Sequence, residues 1–187
     1  PLAAVDRLED LEKHRWPSLD WWDFSHVAQD CRKFPERFIM AGYMSPLYYY
    51  GNLRGIEKSL EDLLERPEYA ERVVQQLCEF HCAYLTRLFE SAQGGIGITQ
   101  VTDDFGMQEG LLISPALFRR FFKPWMRRLI ELAHSAGVYV MHHDDGAIRA
   151  LIPEFIERKQ GRQRVEYMDA RLQPILGSTY GIMIYQE

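Results

Sequence analysis

The chain has 187 residues, 22 of them basic and 27 acidic, for a formal charge of −5 with histidine neutral. Apolar residues make up 47% and charged residues 26%, a globular balance that disfavours a disordered tail, a collagen-like fibre or a disulfide miniprotein. The acidic excess argues against a nucleic-acid surface, and no run of about 18 apolar residues is present to span a membrane.

The opening PLAAVDRLEDLEKHRW lacks the basic-then-apolar order of a signal peptide. A start at Pro1 and a stop at Glu187 inside an apolar run read as a chain cut at both ends. Residues 1–36 mix Trp16, Trp21, Trp22 and Phe24 with acids, and read as a cover segment of short helices whose rings pack on a larger body. Arg37 to Tyr43 reads as a short buried strand leading into a loop at Ser45-Pro46. Tyr48, Tyr49 and Tyr50 then serve packing or line a pocket mouth. Ile56, Leu60, Leu63 and Leu64 form one helical stripe, and Pro67 starts the next helix. In that helix Ala70, Val73, Val74, Leu77, Cys78, His81, Tyr84, Leu85 and Leu88 recur at helical spacing, so His81 reads as a satisfied core histidine. Cys78 and Cys82 flank it as potential metal ligands. No second pair of zinc spacing follows, so they read as core. With Cys31 they make three cysteines that cannot all pair, which fits a reducing, cytoplasmic compartment.

Gly94-Gly95 closes the helix, and Ile96 to Thr102 reads as a buried strand. The polar, glycine-rich segment Asp103 to Gly110 continues neither element. Ser114-Pro115 is an N-cap with proline at the first helical position. The helix it starts buries Phe118, Phe121, Phe122, Trp125, Leu129, Leu132 and Ala133, turns Arg119, Arg120, Lys123, Arg127 and Arg128 to solvent, and should kink at Pro124. Gly137 ends it, Val138 to His142 is the next strand, and His143-Asp144-Asp145-Gly146 is a second polar turn. Ile148, Leu151, Ile152, Phe155 and Ile156 mark a last amphipathic helix. Two βα units in tandem imply a parallel sheet with helical cover, whose chemistry belongs to the loops after the strand carboxyl ends.

Both polar clusters occupy that position. Asp103 and Asp104 end one strand; His142, His143, Asp144 and Asp145 end the next. Neighbouring strands lie about 4.8 Å apart, so the groups can converge, although adjacent residues face opposite ways and only one of each pair should reach a common pocket. Carboxylates beside imidazoles suit proton shuttling or binding of a divalent metal through N and O ligands. The same aspartates also suit plain helix and turn capping. Serine-nucleophile, Walker, dinucleotide and H-E-x-x-H signatures are absent from the sequence.

The stretch Thr102-Asp-Asp-Phe-Gly-Met-Gln-Glu-Gly-Leu-Leu-Ile-Ser-Pro115 resembles the D-D-x-G-x-Q-x-G-x-x-I-S-P segment of the uroporphyrinogen decarboxylase family. Ala133 to Gly146 resembles its A-H-x-x-G-V-x-V-x-x-H-x-x-G, and Leu53 to Glu57 and Leu63 to Glu68 fit its middle section. The family includes heme-pathway decarboxylases of porphyrin biosynthesis and zinc enzymes that move methyl groups to and from corrinoid or thiol carriers. The resemblance covers about residues 1–157 and implies an α/β fold, a partial (β/α)8 barrel of that type, since a whole barrel takes about 250 residues. It implies catalytic roles for Asp103, Asp104, His143 and Asp145, and substrate contacts for Met107, Gln108 and His142. The implied chemistry is decarboxylation of a tetrapyrrole, without cofactor, or methyl transfer, with zinc and a corrinoid partner. The methyltransferase branch places zinc on an H-x-C-G pair plus a later cysteine. Asp145 stands where the first cysteine would, leaving His143 and Asp145 as the metal pair here. The arginine-rich motif of the decarboxylase branch is not found in this sequence. A small-molecule substrate, no membrane partner and, in full-length members, a homodimer are also implied.

From Phe155 the text changes. It resembles the bacterial DNA polymerase III alpha subunit, with F-I-x-R-K-x-G-x-x-x-x-x-Y followed by L-x-P-I-L-x-x-T-Y-G-x-x-x-Y-Q-E. None of that enzyme's metal-binding aspartates is included, so polymerase activity does not follow. Arg158, Lys159, Arg162, Arg164 and Arg171 read as solvated charge. The domain reading is a cover segment at 1–36, a partial barrel at 37–157 and a loosely packed, hairpin-like or helical tail at 158–187. The alternative to an enzyme-derived unit is a truncated or chimeric product with no activity of its own.

Overall fold

The computed structural model describes residues 1–155, 171 and 173–176. They fall into two compact units, one made of 1–104 with 116–144, the other of 105–115 with the described part of 145–187.

In the first unit, short helices α1 (Leu8–Glu12) and α2 (Val27–Arg32) precede β1 (Met40–Met44), α3 (Pro46–Arg54), α4 (Ile56–Glu65) and α5 (Pro67–Ala92). Strand β2 (Ile98–Val101) follows. A long helix then runs through α6 (Pro115–Leu117), a π turn at Phe118–Phe122 and α7 (Lys123–Ser135) to β3 (Tyr139–Met141). Among the described residues the strands form one parallel sheet, ordered β1-β2-β3. Met40 pairs with Ile98, which pairs with Tyr139; Val101 pairs with Met44. Parallel neighbours need a crossover, and helices supply both. The architecture is therefore α/β with a parallel sheet.

Helix α5 follows the expected stripe, burying Val73, Val74, Leu77, Cys78, Cys82, Leu85 and Leu88. It ends where Gln93 takes the left-handed conformation at φ 52° and Gly94 follows at φ 82°. His81 is the core histidine expected: its Nδ1–H donates to Leu77 O at 2.8 Å, and its ring stacks on Tyr49. Burial lowers its pKa, and raises those of the Cys78 and Cys82 thiols. The break at Pro124 takes the form of a π turn, with the Lys123 amide donating to Phe118 O. Proline has no N–H to give, and the wider turn absorbs the ring. Phe118, Phe121, Phe122, Met126, Leu129 and Ala133 are buried.

Two expectations need correction. Strand β1 starts at Met40 and is not a buried strand, since Met40 and Tyr43 are exposed. It is an edge of the sheet and shares its exposed row with Tyr139, whereas Thr99 and Val101 are fully buried. Of the N-terminal aromatics only Phe24 is buried; Trp22 packs at the edge on Phe80 and Tyr84, and Trp21 is 57% exposed.

The first residues are held by Arg54, whose side chain is fully buried. Its guanidinium donates to Asp62 Oδ2 (2.8 Å), Asp6 Oδ1 (2.8 Å), Leu2 O and Val5 O, and lies 4.9 Å from the Tyr69 ring centroid. Tyr50 donates to the same Asp62 oxygen and Arg66 pairs with the other. Burial alone would pull the Arg54 pKa down; the bonds to Asp62 and Asp6 more than offset it, and the net shift is upward.

In the second unit, Phe105 to Leu112 forms a tight hairpin closed by Met107 N to Gly110 O and Leu112 N to Phe105 O, both 2.7 Å. Its Gly106 lies against the backbone of Gly146, and a Cβ there would come within 2.7 Å of the Gly146 carbonyl carbon. Gly146 itself has φ 81°. The two loop-motif glycines thus need each other's lack of a side chain. Ala147 N donates to Met107 O at 2.8 Å. The expected helix after 148 is a single turn, α8 (Ile152–Phe155), with Leu151 buried before it. Apart from Arg171 and the one-turn α9 (Gln173–Leu176), the tail expected at 158–187 lies outside the described residues, as does Ile156.

Candidate functional site at the carboxyl ends of the strands

Three strand ends meet in the first unit: Met44-Ser45 after β1, Thr102 to Asp104 after β2, and His142 to Asp144 after β3. Thr102 joins them, its amide donating to Met44 O at 2.8 Å and its hydroxyl to His143 O. The Asp103 amide also donates to His143 O, at 3.3 Å.

Alternation along the strand sorts the polar residues into two sets. Asp103 turns inward and is 1% exposed. Its carboxylate accepts from Ser45 Oγ (2.5 Å), Leu47 N (2.7 Å) and Tyr48 N (2.9 Å). It therefore caps α3 from another strand, taking the free amides of the first turn in place of Ser45, the local cap residue. Burial pushes its pKa up to about 7 against the pull of these three bonds, and Asp144 adds to the rise. His142 also turns inward: Nδ1–H donates to Val101 O at 2.8 Å and Nε2 stands 3.7 Å from the buried Asp144 carboxylate.

The outward set is Asp104 and His143. His143 Nε2 lies 3.6 Å from Asp104 Oδ1, with both side chains more than half exposed. Of the residues expected in the site, the structure thus brings Asp103, Asp104, His142 and His143 to one rim and gives them different surroundings. Met107, Gln108 and Asp145 belong to the second unit, where all three are exposed.

Ser45 and Thr102 tie the rim together, and neither is among the site residues that the sequence suggests. Ser45-Pro46 carries the same signal as Ser114-Pro115, a helix start, and marks where a cap is needed. Nothing local points to Asp103 as that cap, 58 residues away from Ser45 in the chain.

A parallel α/β sheet with acids and imidazoles on its carboxyl rim defines a class, the βα folds whose polar residues gather at the strand ends. Residues 6–163 match the family described as Uroporphyrinogen decarboxylase (URO-D), and the chain belongs to that family. Among solved structures it is similar to a methyltransferase from Methanosarcina mazei, with TM-score 0.56 and 18% identity over 72% of this chain and 38% of that one, a likeness of fold. Residues 143–187 match the bacterial DNA polymerase III alpha subunit finger domain. There the chain is 51% identical over 37 residues to DNA polymerase III subunit alpha of Chlamydia trachomatis and 60% identical over 37 residues to that of Xylella fastidiosa, in each case 20% of this chain and 3% of the relative. Among the described residues no helix is long and apolar enough to cross a membrane.

Proposed function

We propose that the chain carries part of a (β/α)8 barrel enzyme of the URO-D family, acting on a carboxylated small molecule of the tetrapyrrole class in the cytoplasm, with Asp104 and His143 as its proton-transfer pair. The supporting observation is their 3.6 Å approach on the open side of the rim. An imidazole beside a carboxylate can be held ready to give a proton to a carbon that loses its carboxyl group, and the carboxylate can orient either ring or substrate. Asp103 serves by fixing α3 beside the site, and His142 by contact with substrate. In this reading the cover at 1–36 and the barrel part at 37–157 form one working unit, a homodimer in the longer enzyme, and 158–187 is an appendage.

Methyl transfer is the second reading, favoured by the spacing of the same pair. Two ligands at metal distances of about 2.0–2.2 Å stand roughly 3.3–3.6 Å apart in a tetrahedral site. His143 and Asp104 fit two such places, and Asp145 takes the sequence place of the family's cysteine. A divalent ion held there would act as a Lewis acid toward a methyl donor or acceptor, a corrinoid or a thiol. No thiolate is among these donors.

Calorimetric titration separates the readings. A carboxylated porphyrin should bind the wild-type chain and lose at least tenfold in affinity with Asp104→Ala/His143→Ala; undiminished binding contradicts the site. Zinc binding lost in that variant would favour methyl transfer. The joined match at 143–163, shared by both families, supports the alternative of an inactive chimera. Aggregation in gel filtration with no ligand binding would favour that alternative.

A further inference from the structure

We infer that Thr102 is a positioning residue for the rim pair: its buried hydroxyl holds the His143 carbonyl, and so fixes where the imidazole stands against Asp104. The inference rests on the reading of Asp104 and His143 as the working pair.

Thr102 is 1% exposed at the end of a strand, where a β-branched apolar residue would pack as well. A buried hydroxyl without a partner costs stability, so its presence needs an acceptor. The acceptor is His143 O, which lies beyond the last paired residues of β2 and β3, Gln100 and Met141. Past the paired residues the Thr102 hydroxyl adds a side-chain donor to a carbonyl that the backbone also reaches. The carbonyl receives a second donor from the Asp103 amide, which uses both of its lone pairs. Thr102 is in turn tied to β1 through its own amide and Met44 O.

The other member of the pair is anchored by the same segment. Asp104 follows Asp103, whose carboxylate is locked into the first turn of α3. Both backbones are thus fixed and both side chains left exposed, 52% for His143 and 58% for Asp104. An exposed pair loses much of its interaction to side-chain freedom and solvent. Fixing the backbones on either side reduces that loss, and the threonine hydroxyl is the part of the arrangement that one methyl group can replace.

The test reads the His143 ring by long-range 1H–15N correlation in the wild-type chain, Asp104→Ala, Thr102→Val and Thr102→Ser at one fixed pH. Asp104→Ala should shift the ring nitrogens, and Thr102→Val should move them at least half of the way to the Asp104→Ala positions, while Thr102→Ser stays at the wild-type positions. A purely structural threonine would lower the melting temperature in Thr102→Val and leave the ring signals in place, which overturns the inference alone. If Asp104→Ala itself leaves them in place, the pair and the proposed function fall with it. Should Thr102→Val not fold, the wild-type chain decides: a slowly exchanging Thr102 hydroxyl proton with a deuterium isotope shift on the His143 carbonyl carbon is expected, and its absence overturns the inference.

Discussion

Helix α3 is pinned at each end by a buried aspartate, and the two solve the same problem differently. At its carboxyl end Asp62 is paired with two guanidiniums and a tyrosine hydroxyl. At its amino end Asp103 receives one hydroxyl and two backbone amides. A buried charge facing opposite charges is costly to break, because removing one partner strands the other. A buried carboxylate facing only neutral donors holds its proton more readily, and its neighbour Asp144 strengthens that tendency. The first arrangement suits a fixed strut, and the second a carboxylate that can exchange a proton.

The comparison is broken most severely at the strut. Arg54→Met leaves Asp62 buried without its main partner and should cost about 3–5 kcal/mol in denaturant unfolding, with exchange protection lost across residues 2–12. An unchanged midpoint would show that the network stabilises nothing. In the second unit, Gly106→Ala forces backbone apart at Gly146 and should cost about 1–3 kcal/mol, read as lost amide protection at Ala147.

At the other end of α3, Asp103→Asn keeps the shape but turns an amide against a backbone N–H. A loss of about 1 kcal/mol, the usual worth of a cap, is expected below pH 3.8. Its pH dependence carries more information. The carboxyl of Asp103 is raised from 3.8 to about 7 in the folded chain. Its contribution to stability is therefore full below pH 3.8 and is lost as pH rises through about 7. Unfolding curves of wild type minus Asp103→Asn should slope downward across that window. A flat difference would mean that the cap carries no proton. A loss of the same size, about 1 kcal/mol, should come from Cys78→Ala, where a buried thiol acts as an apolar filler.

Much of this was legible in advance. The parallel sheet followed from two strand–helix repeats with polar turns in equivalent places, and α5 from its periodic face. The rim was legible as a set, because those turns end neighbouring strands. What could not be read was the division of labour within it. Whether Asp103 or Asp104 faces outward depends on where β2 ends, and a shift of one residue exchanges their roles. Arg54 was also hidden, since a fully buried arginine looks like any surface charge until Asp6 and Asp62 are brought around it. The exposure of Met40 and Tyr43 is not legible either, because a run of apolar residues does not reveal whether one face of its sheet or both are covered.

The rim pair is most directly tested by an isotope-edited NOE spectrum of the wild-type chain. Cross-peaks between the His143 ring protons and the Asp104 β protons are predicted. A well-dispersed spectrum in which the His143 ring shows contacts elsewhere and none to Asp104 would contradict the pair.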